Sequence, residues 1–143
     1  MFLKKKPPPI KSLIAQGSEI TGDFKFSEGL RVDGAVTGNI RSSDDESSLL
    51  VISEQACVTG EIRADHIIIN GTVKGPIHAH VMLELQPKAR IEGDVHYVAL
   101  EMHQGALVAG QLRPILPGGA LGAVAGEVAG EDKPTLKLAA NNR

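Results

Sequence analysis

Three histidines, His78, His80 and His96, are the residues of this chain whose type and spacing raise the question of metal chemistry. Neutral imidazoles are good zinc ligands, and three of them with one water complete a catalytic tetrahedron. Alternation along a strand puts His78 and His80 on one face, and stacked strands would bring His96 beside His78. Some left-handed β-helix enzymes hold metal between subunits in this manner. Those folds carry hexapeptide spacing, whereas the intervals here are irregular. Surface histidines that titrate near neutral pH without a ligand are the ordinary case, so no metal ligand is assigned. Cys57 is the sole cysteine, which excludes an internal disulfide and a Cys-rich zinc site. Nothing basic stands beside it to favour a thiolate. The run Gly34-Ala35-Val36-Thr37-Gly38 has neither the following Lys-Ser/Thr nor the helix of a phosphate loop. No nucleophile, base and orienter emerge as a set. The chain is therefore expected to be no enzyme, with no catalytic residue and no cofactor.

What would position any such residue is a repeat. One unit (apolar, any, Gly, any, apolar) recurs six times, centred on Gly22, Gly38, Gly60, Gly75, Gly93 and Gly110. The copies run from Ile20-Thr21-Gly22-Asp23-Phe24 to Val108-Ala109-Gly110-Gln111-Leu112, at intervals of 16, 22, 15, 18 and 17 residues. The long interval holds the polar stretch Ser42 to Ser48, which reads as one looped-out insertion. Every other interval is about one coil of a β-solenoid. A second strand precedes each unit, as in Leu30-Arg31-Val32, Leu50-Val51-Ile52, Ile67-Ile68-Ile69, Leu83-Glu84-Leu85 and Leu100-Glu101-Met102. Period-two alternation then sends Leu83 and Leu85 inward and Glu84 outward. Stacked coils align one inner ladder of Ile20, Val36, Val58, Val73, Ile91 and Val108. A second contains Phe24, Ile40, Ile62, Ile77, Val95 and Leu112. Between them runs the glycine column, where the tube bends and a Cβ has no room. An all-β solenoid of about six coils follows, on the order of 29 Å long at the inter-strand spacing.

Composition fits thin aliphatic layers: 16 Gly, one Tyr, three Phe and no Trp among 143 residues. Three segments are expected: a basic, Pro-rich flexible leader over 1–12, the solenoid over 13–113, and a flexible tail over 114–143. The tail's Leu136-Lys137-Leu138 is read as part of a solvated segment. No apolar run reaches the eighteen residues of a membrane span, and Lys4 to Lys6 run into three prolines rather than the apolar segment of a signal peptide. A cytoplasmic protein is the reading. The residues closing each unit, Lys25, Arg41, Arg63, His78, His96 and Arg113, point outward and should stack into a basic ladder. Two positions earlier on the same face stand Asp23, Asn39, Glu61, Pro76, Asp94 and Gln111, which offset much of that charge. With a formal net charge of −2 and no aromatic interleaving for base stacking, nucleic-acid binding is not expected.

The strand-plus-unit pairs Leu30 to Ile40 and Ile67 to Ile77, the variants Leu50 to Ile62 and Leu83 to Val95, and the closing Gly105-Ala106-Leu107-Val108-Ala109-Gly110 resemble the bactofilins. The opening Met1-Phe2 followed by lysines is also similar to the membrane-targeting start of many members. The resemblance covers about the first four-fifths of the chain. It implies a single-stranded, right-handed and roughly triangular β-helix that polymerises without nucleotide into filaments near the bacterial inner membrane. Many members carry a bulky Phe in the final coil. Here that stretch offers Leu107 and Val108, which implies a weaker or different terminal contact.

Physical chemistry leads to the same expectation, because an uncapped solenoid exposes a strand edge and a slice of core at each end. The polymer contacts are expected at Leu13, Ile14, Ile20, Phe24 and Phe26 on the N-terminal coil. On the C-terminal coil they are expected at Leu100, Met102, Leu107, Val108 and Leu112. Met1, Phe2, Leu3, Lys4, Lys5 and Lys6 are expected to bind peripheral inner-membrane lipid. Three lysines contribute on the order of 3 kcal/mol at an anionic surface, and a filament adds avidity. The expected partners are thus a second copy of the chain, the cytoplasmic face of the inner membrane, and envelope or cell-wall client proteins served by the scaffold. The alternatives are a β-helix enzyme of the acyltransferase or carbonic-anhydrase type and a non-polymerising solenoid adaptor.

Overall fold

A computed structural model describes residues 9–43 and 47–115. Met1 to Lys6, the middle of the polar insertion (44–46) and the segment containing Leu136 to Leu138 lie outside the described residues.

Every described element is a strand, and the order is a coil repeated six times. The first coil holds β1 (Ile10–Ile14), β2 (Glu19–Thr21) and β3 (Phe24–Phe26). The second holds β4 (Gly29–Val32), β5 (Ala35–Thr37) and β6 (Ile40–Ser42). The third has β7 (Leu49–Ile52), β8 (Cys57–Thr59) and the start of β9 (Ile62–Ile69). The fourth takes the end of β9, then β10 (Thr72–Lys74) and the start of β11 (Ile77–Leu85). The fifth takes the end of β11, β12 (Arg90–Glu92) and β13 (Val95–Tyr97). The last is β14 (Leu100–Met102), β15 (Leu107–Ala109) and β16 (Leu112–Pro114). Strand β1 thus starts at Ile10, ahead of the Leu13 expected to open the solenoid.

Like strands of successive coils stack in parallel into three faces. Face A is β1, β4, β7, the end of β9, the end of β11, and β14. Face B is β2, β5, β8, β10, β12 and β15. Face C is β3, β6, the start of β9, the start of β11, β13 and β16. In coils three and four the chain turns from face C to face A without leaving the strand, through Asp65-His66 and His80-Val81. The polar insertion sits at the same corner one coil earlier, between β6 and β7.

Both inner ladders form in the expected register. Ile20, Val36, Val58, Val73, Ile91 and Val108 are successive partners on face B, and Phe24, Ile40, Ile62, Ile77 and Val95 on face C. Face A adds two more, Leu30-Leu50-Ile67-Leu83-Leu100 and Val32-Ile52-Ile69-Leu85-Met102. In coils two to five these side chains are buried. Branched aliphatics suit such one-sided pleated packing, and each fully buried one contributes roughly 1.5–3 kcal/mol relative to exposure.

The glycine column follows from close coil-on-coil contact at the corner between faces B and C. A Cβ on Gly60 would lie 2.1 Å from the Gly38 carbonyl oxygen, and the Gly60 φ of +148° disfavours any L side chain. The residue after the glycine completes the corner. Asp23 Oδ1 accepts from the Asn39 N–H at 3.1 Å, Asn39 Oδ1 from the Glu61 N–H at 2.9 Å, and Asp94 Oδ1 from the Gln111 N–H at 3.1 Å. Each side chain satisfies a backbone donor of the next coil that the strand ladders leave free.

Candidate functional site

The end coils carry the features that the interior lacks. In coil five, Leu83, Leu85 and Val95 have no exposed surface and Ile91 only 2%. Their successors in the last coil are Leu100 and Val108, half-buried, and Met102 and Leu112, 43% and 42% exposed. The same inward-directed positions therefore lose their cover where the stack stops. At the N-terminal end Ile20 and Phe24 are half-buried, while Ile14 and Phe26 are buried. Two expected contact residues project sideways instead of along the axis. Leu13 is the partner of Arg31 on the outer side of face A, and Leu107 is the partner of Arg90 on the outer side of face B. Both are 58% exposed.

A sequence profile described as "Bactofilin: Polymer-forming cytoskeletal" matches residues 12–113. That span takes in nearly all of the coil stack, from within β1 to the middle of β16. The chain belongs to the bactofilin family. No curated protein and no solved structure matches it. Family membership and the solenoid together fit a polymer-forming cytoskeletal type of protein.

The lateral chemistry of this bactofilin is laid out by face. On face C, Lys25, Arg41, Arg63, His78 and His96 are register partners. The expected ladder therefore exists. Its charge is partly offset: Glu61 Oε2 lies 2.9 Å from Arg63 Nη2 and 2.9 Å from His78 Nε2, and Asp94 lies 3.3 Å from Arg113 Nε. The Gln111 N–H and the Arg113 guanidinium hold the Asp94 carboxyl below its ordinary range. His78 and His96 stack face to face, with centroids 4.4 Å apart and planes 3° from parallel. Parallel rings aim their nitrogens side by side, not at a common point. His80 turns to Asp65, at 3.6 Å. The three histidines are therefore not gathered around one centre. Burial, followed by the Arg63 and His96 charges, pushes the His78 imidazolium below its ordinary value.

Among the described residues, one cluster of metal-type donors does occur, and sequence reasoning missed it. His103 Nε2 stands 3.0 Å from Glu84 Oε2 and 3.3 Å from Glu101 Oε2. Glu84 and Glu101 are register partners on β11 and β14, so the His103 ring bridges two like charges placed side by side. The signal was the shared Glu in Leu-Glu-Leu and Leu-Glu-Met. Cys57 is half-buried on the outer side of face B, between Ala35 and Thr72. Gly34 is a packing glycine: its Cβ would lie 2.5 Å from the carbonyl oxygens of Ala15 and Ser18. No helix among the described residues is long and apolar enough to cross a membrane.

Proposed function

We propose that this chain is a cytoskeletal scaffold whose coil stacks join end to end, without nucleotide, into filaments. Met1 to Lys6 hold the polymer to the cytoplasmic face of the inner membrane, where it positions envelope or cell-shape machinery. The observation that carries the assembly reading is the uncovered core slice of the last coil, where Met102 and Leu112 are each more than two-fifths exposed. Joining another coil returns these side chains to the environment that Leu85 and Val95 have inside the stack, and it pairs the edges of β14, β15 and β16 that have no partner strand among the described residues. Burial of each such side chain contributes up to about 1.5–3 kcal/mol. The apolar Met1-Phe2-Leu3 and the cations Lys4 to Lys6 supply the two signals that stable membrane attachment needs.

Met102→Arg and Leu112→Arg place a guanidinium in the junction and are expected to convert filaments to dispersed protein in sedimentation velocity. Leu107→Arg, on a lateral face, is expected to leave the polymer intact. Filaments of unchanged length and number in both axial variants would contradict the end-joining reading.

A further inference from the structure

The outer sides of the three faces differ in chemistry. Face C presents its cation and histidine ladder, and face B presents Thr21, Thr37 and Thr59 in one continuous register. Face A presents aliphatics. Its outward positions run Leu13-Arg31-Val51-Ile68-Glu84 in one column and Leu49-His66-Met82 in the next. Leu49, Val51, Ile68 and Met82 thus form one block around His66 across coils three to five, bounded by Arg31 on the N-terminal side and by Glu84 and Glu101 on the other. Leu13, 58% exposed, extends the apolar surface past Arg31.

The leader joins the fold on this face. Pro9 and Ile10 cross Gly29, whose Cβ would lie 2.3 Å from the Pro9 carbonyl oxygen. Gly29 heads the column that continues as Leu49, His66 and Met82. Phe2 stands seven residues before Pro9, so it reaches at most about 25 Å from that point. Lys6 is only three residues away. A bilayer gripped by Phe2, Leu3 and the three lysines is within shortest reach of the N-terminal corner of face A, where Leu13 projects outward and the cations Lys11 and Arg31 pair with Glu28 and Asp33 at 3.1 and 3.0 Å.

We infer that the outer side of face A, carrying Leu13, Leu49, Val51, Ile68 and Met82, is the side of the rod that lies against an anionic bilayer. The inference rests on the reading of the leader as a lipid anchor. It gives the filament one membrane-facing side and leaves faces B and C open to the cytoplasm. Each subunit then adds shallow apolar contact to the leader's grip, and repetition along the polymer multiplies it.

The chain has no tryptophan, so a single introduced indole reports its own surroundings. Full-length Ile68→Trp (face A), Thr59→Trp (face B) and Arg41→Trp (face C) are mixed with phosphatidylcholine–phosphatidylglycerol vesicles, with or without brominated acyl chains. Met82→Trp serves as a second face A position should Ile68→Trp fail to fold. The face A indoles are expected to lose about half of their emission to the bromines, as for side chains buried at the headgroup–acyl boundary. Those at positions 59 and 41 keep theirs. Quenching at 59 or 41 instead, or vesicle binding with no quenching on face A, overturns the inference and leaves the anchor standing. Blue-shifted face A emission without vesicles, insensitive to bromine, means that a second copy covers the face, and it too overturns the inference. If the unsubstituted chain does not co-sediment with vesicles, the anchor reading fails first and the inference falls with it.

Discussion

Gly60 shows how closely the coils are stacked. Its Cβ would sit 2.1 Å from a backbone carbonyl that has nowhere to move, on a φ of +148°. Gly60→Ala is expected to destabilise the fold by about 2–5 kcal/mol, combining backbone strain with overpacking. Gly22 has a φ of +123° but open space where the Cβ would stand, so Gly22→Ala is expected to lose only about 1–3 kcal/mol. Equal losses for the two in urea unfolding would contradict the close-contact account. A second residue-scale prediction concerns acid. The folded pKa of His78 lies below its ordinary 6.5, so between those values the unfolded chain binds more protons. Stability must then fall as pH drops through about 6.5 towards the folded value. Asp94, also lowered, adds a loss that begins only below its ordinary 3.8. His78→Asn is expected to flatten the loss between pH 7 and pH 5 in urea titrations, and an unchanged slope would contradict it.

At the scale of the element, the terminal coils are where stability and assembly separate. The Cβ direction at Gly38 is towards Gly22, in the preceding coil. By the same geometry a Cβ on Gly22 points out of the N-terminal end. Gly22→Ala is therefore expected to leave the stack folded, by circular dichroism, yet to block any junction that continues the coils in register there. Filaments as abundant as those of the unsubstituted chain would show that this end does not join in register.

The inner ladders were legible because a period of two, with a glycine at a fixed place, marks Val36-Thr37-Gly38-Asn39-Ile40 and its five relatives directly. The outer side of face A was not. Leu49-Leu50-Val51-Ile52 and Ile67-Ile68-Ile69 are apolar throughout, so alternation has no contrast, and only burial separates Leu50 and Ile67 from Leu49 and Ile68. The turns at Asp65-His66 and His80-Val81 contain no glycine or proline, which hid the continuity of β9 and β11 across a corner. Strand β1 was obscured because Ile10-Lys11-Ser12 follows the basic and proline run. The capping by Asp23, Asn39 and Asp94 depends on contacts between coils, which spacing along one coil does not display. The same holds for the sideways projection of Leu13 and Leu107. Their membership of the end coils was readable, but their direction required the register with Arg31 and Arg90.

At the largest scale, three chemically distinct sides and, among the described residues, a last coil whose Met102 and Leu112 lack cover describe a unit suited to growth along its axis while keeping its sides different. Deleting residues 1–12 removes the proposed anchor and also Ile10 to Ser12 of β1. Replacing Phe2 and Leu3 by Ser is the cleaner test: filaments are expected to persist while vesicle co-sedimentation drops by tenfold or more, as for the loss of one of two membrane signals. Undiminished vesicle binding would contradict the anchor. The most direct test of the central claim is electron microscopy and fibre diffraction of the purified full-length chain without nucleotide or metal. End-to-end joining predicts uniform filaments with a reflection near 4.8 Å on the meridian, because the strands then run across the filament axis. Discrete monomers or closed trimers, or filaments whose ~4.8 Å reflection lies off the meridian, would contradict it.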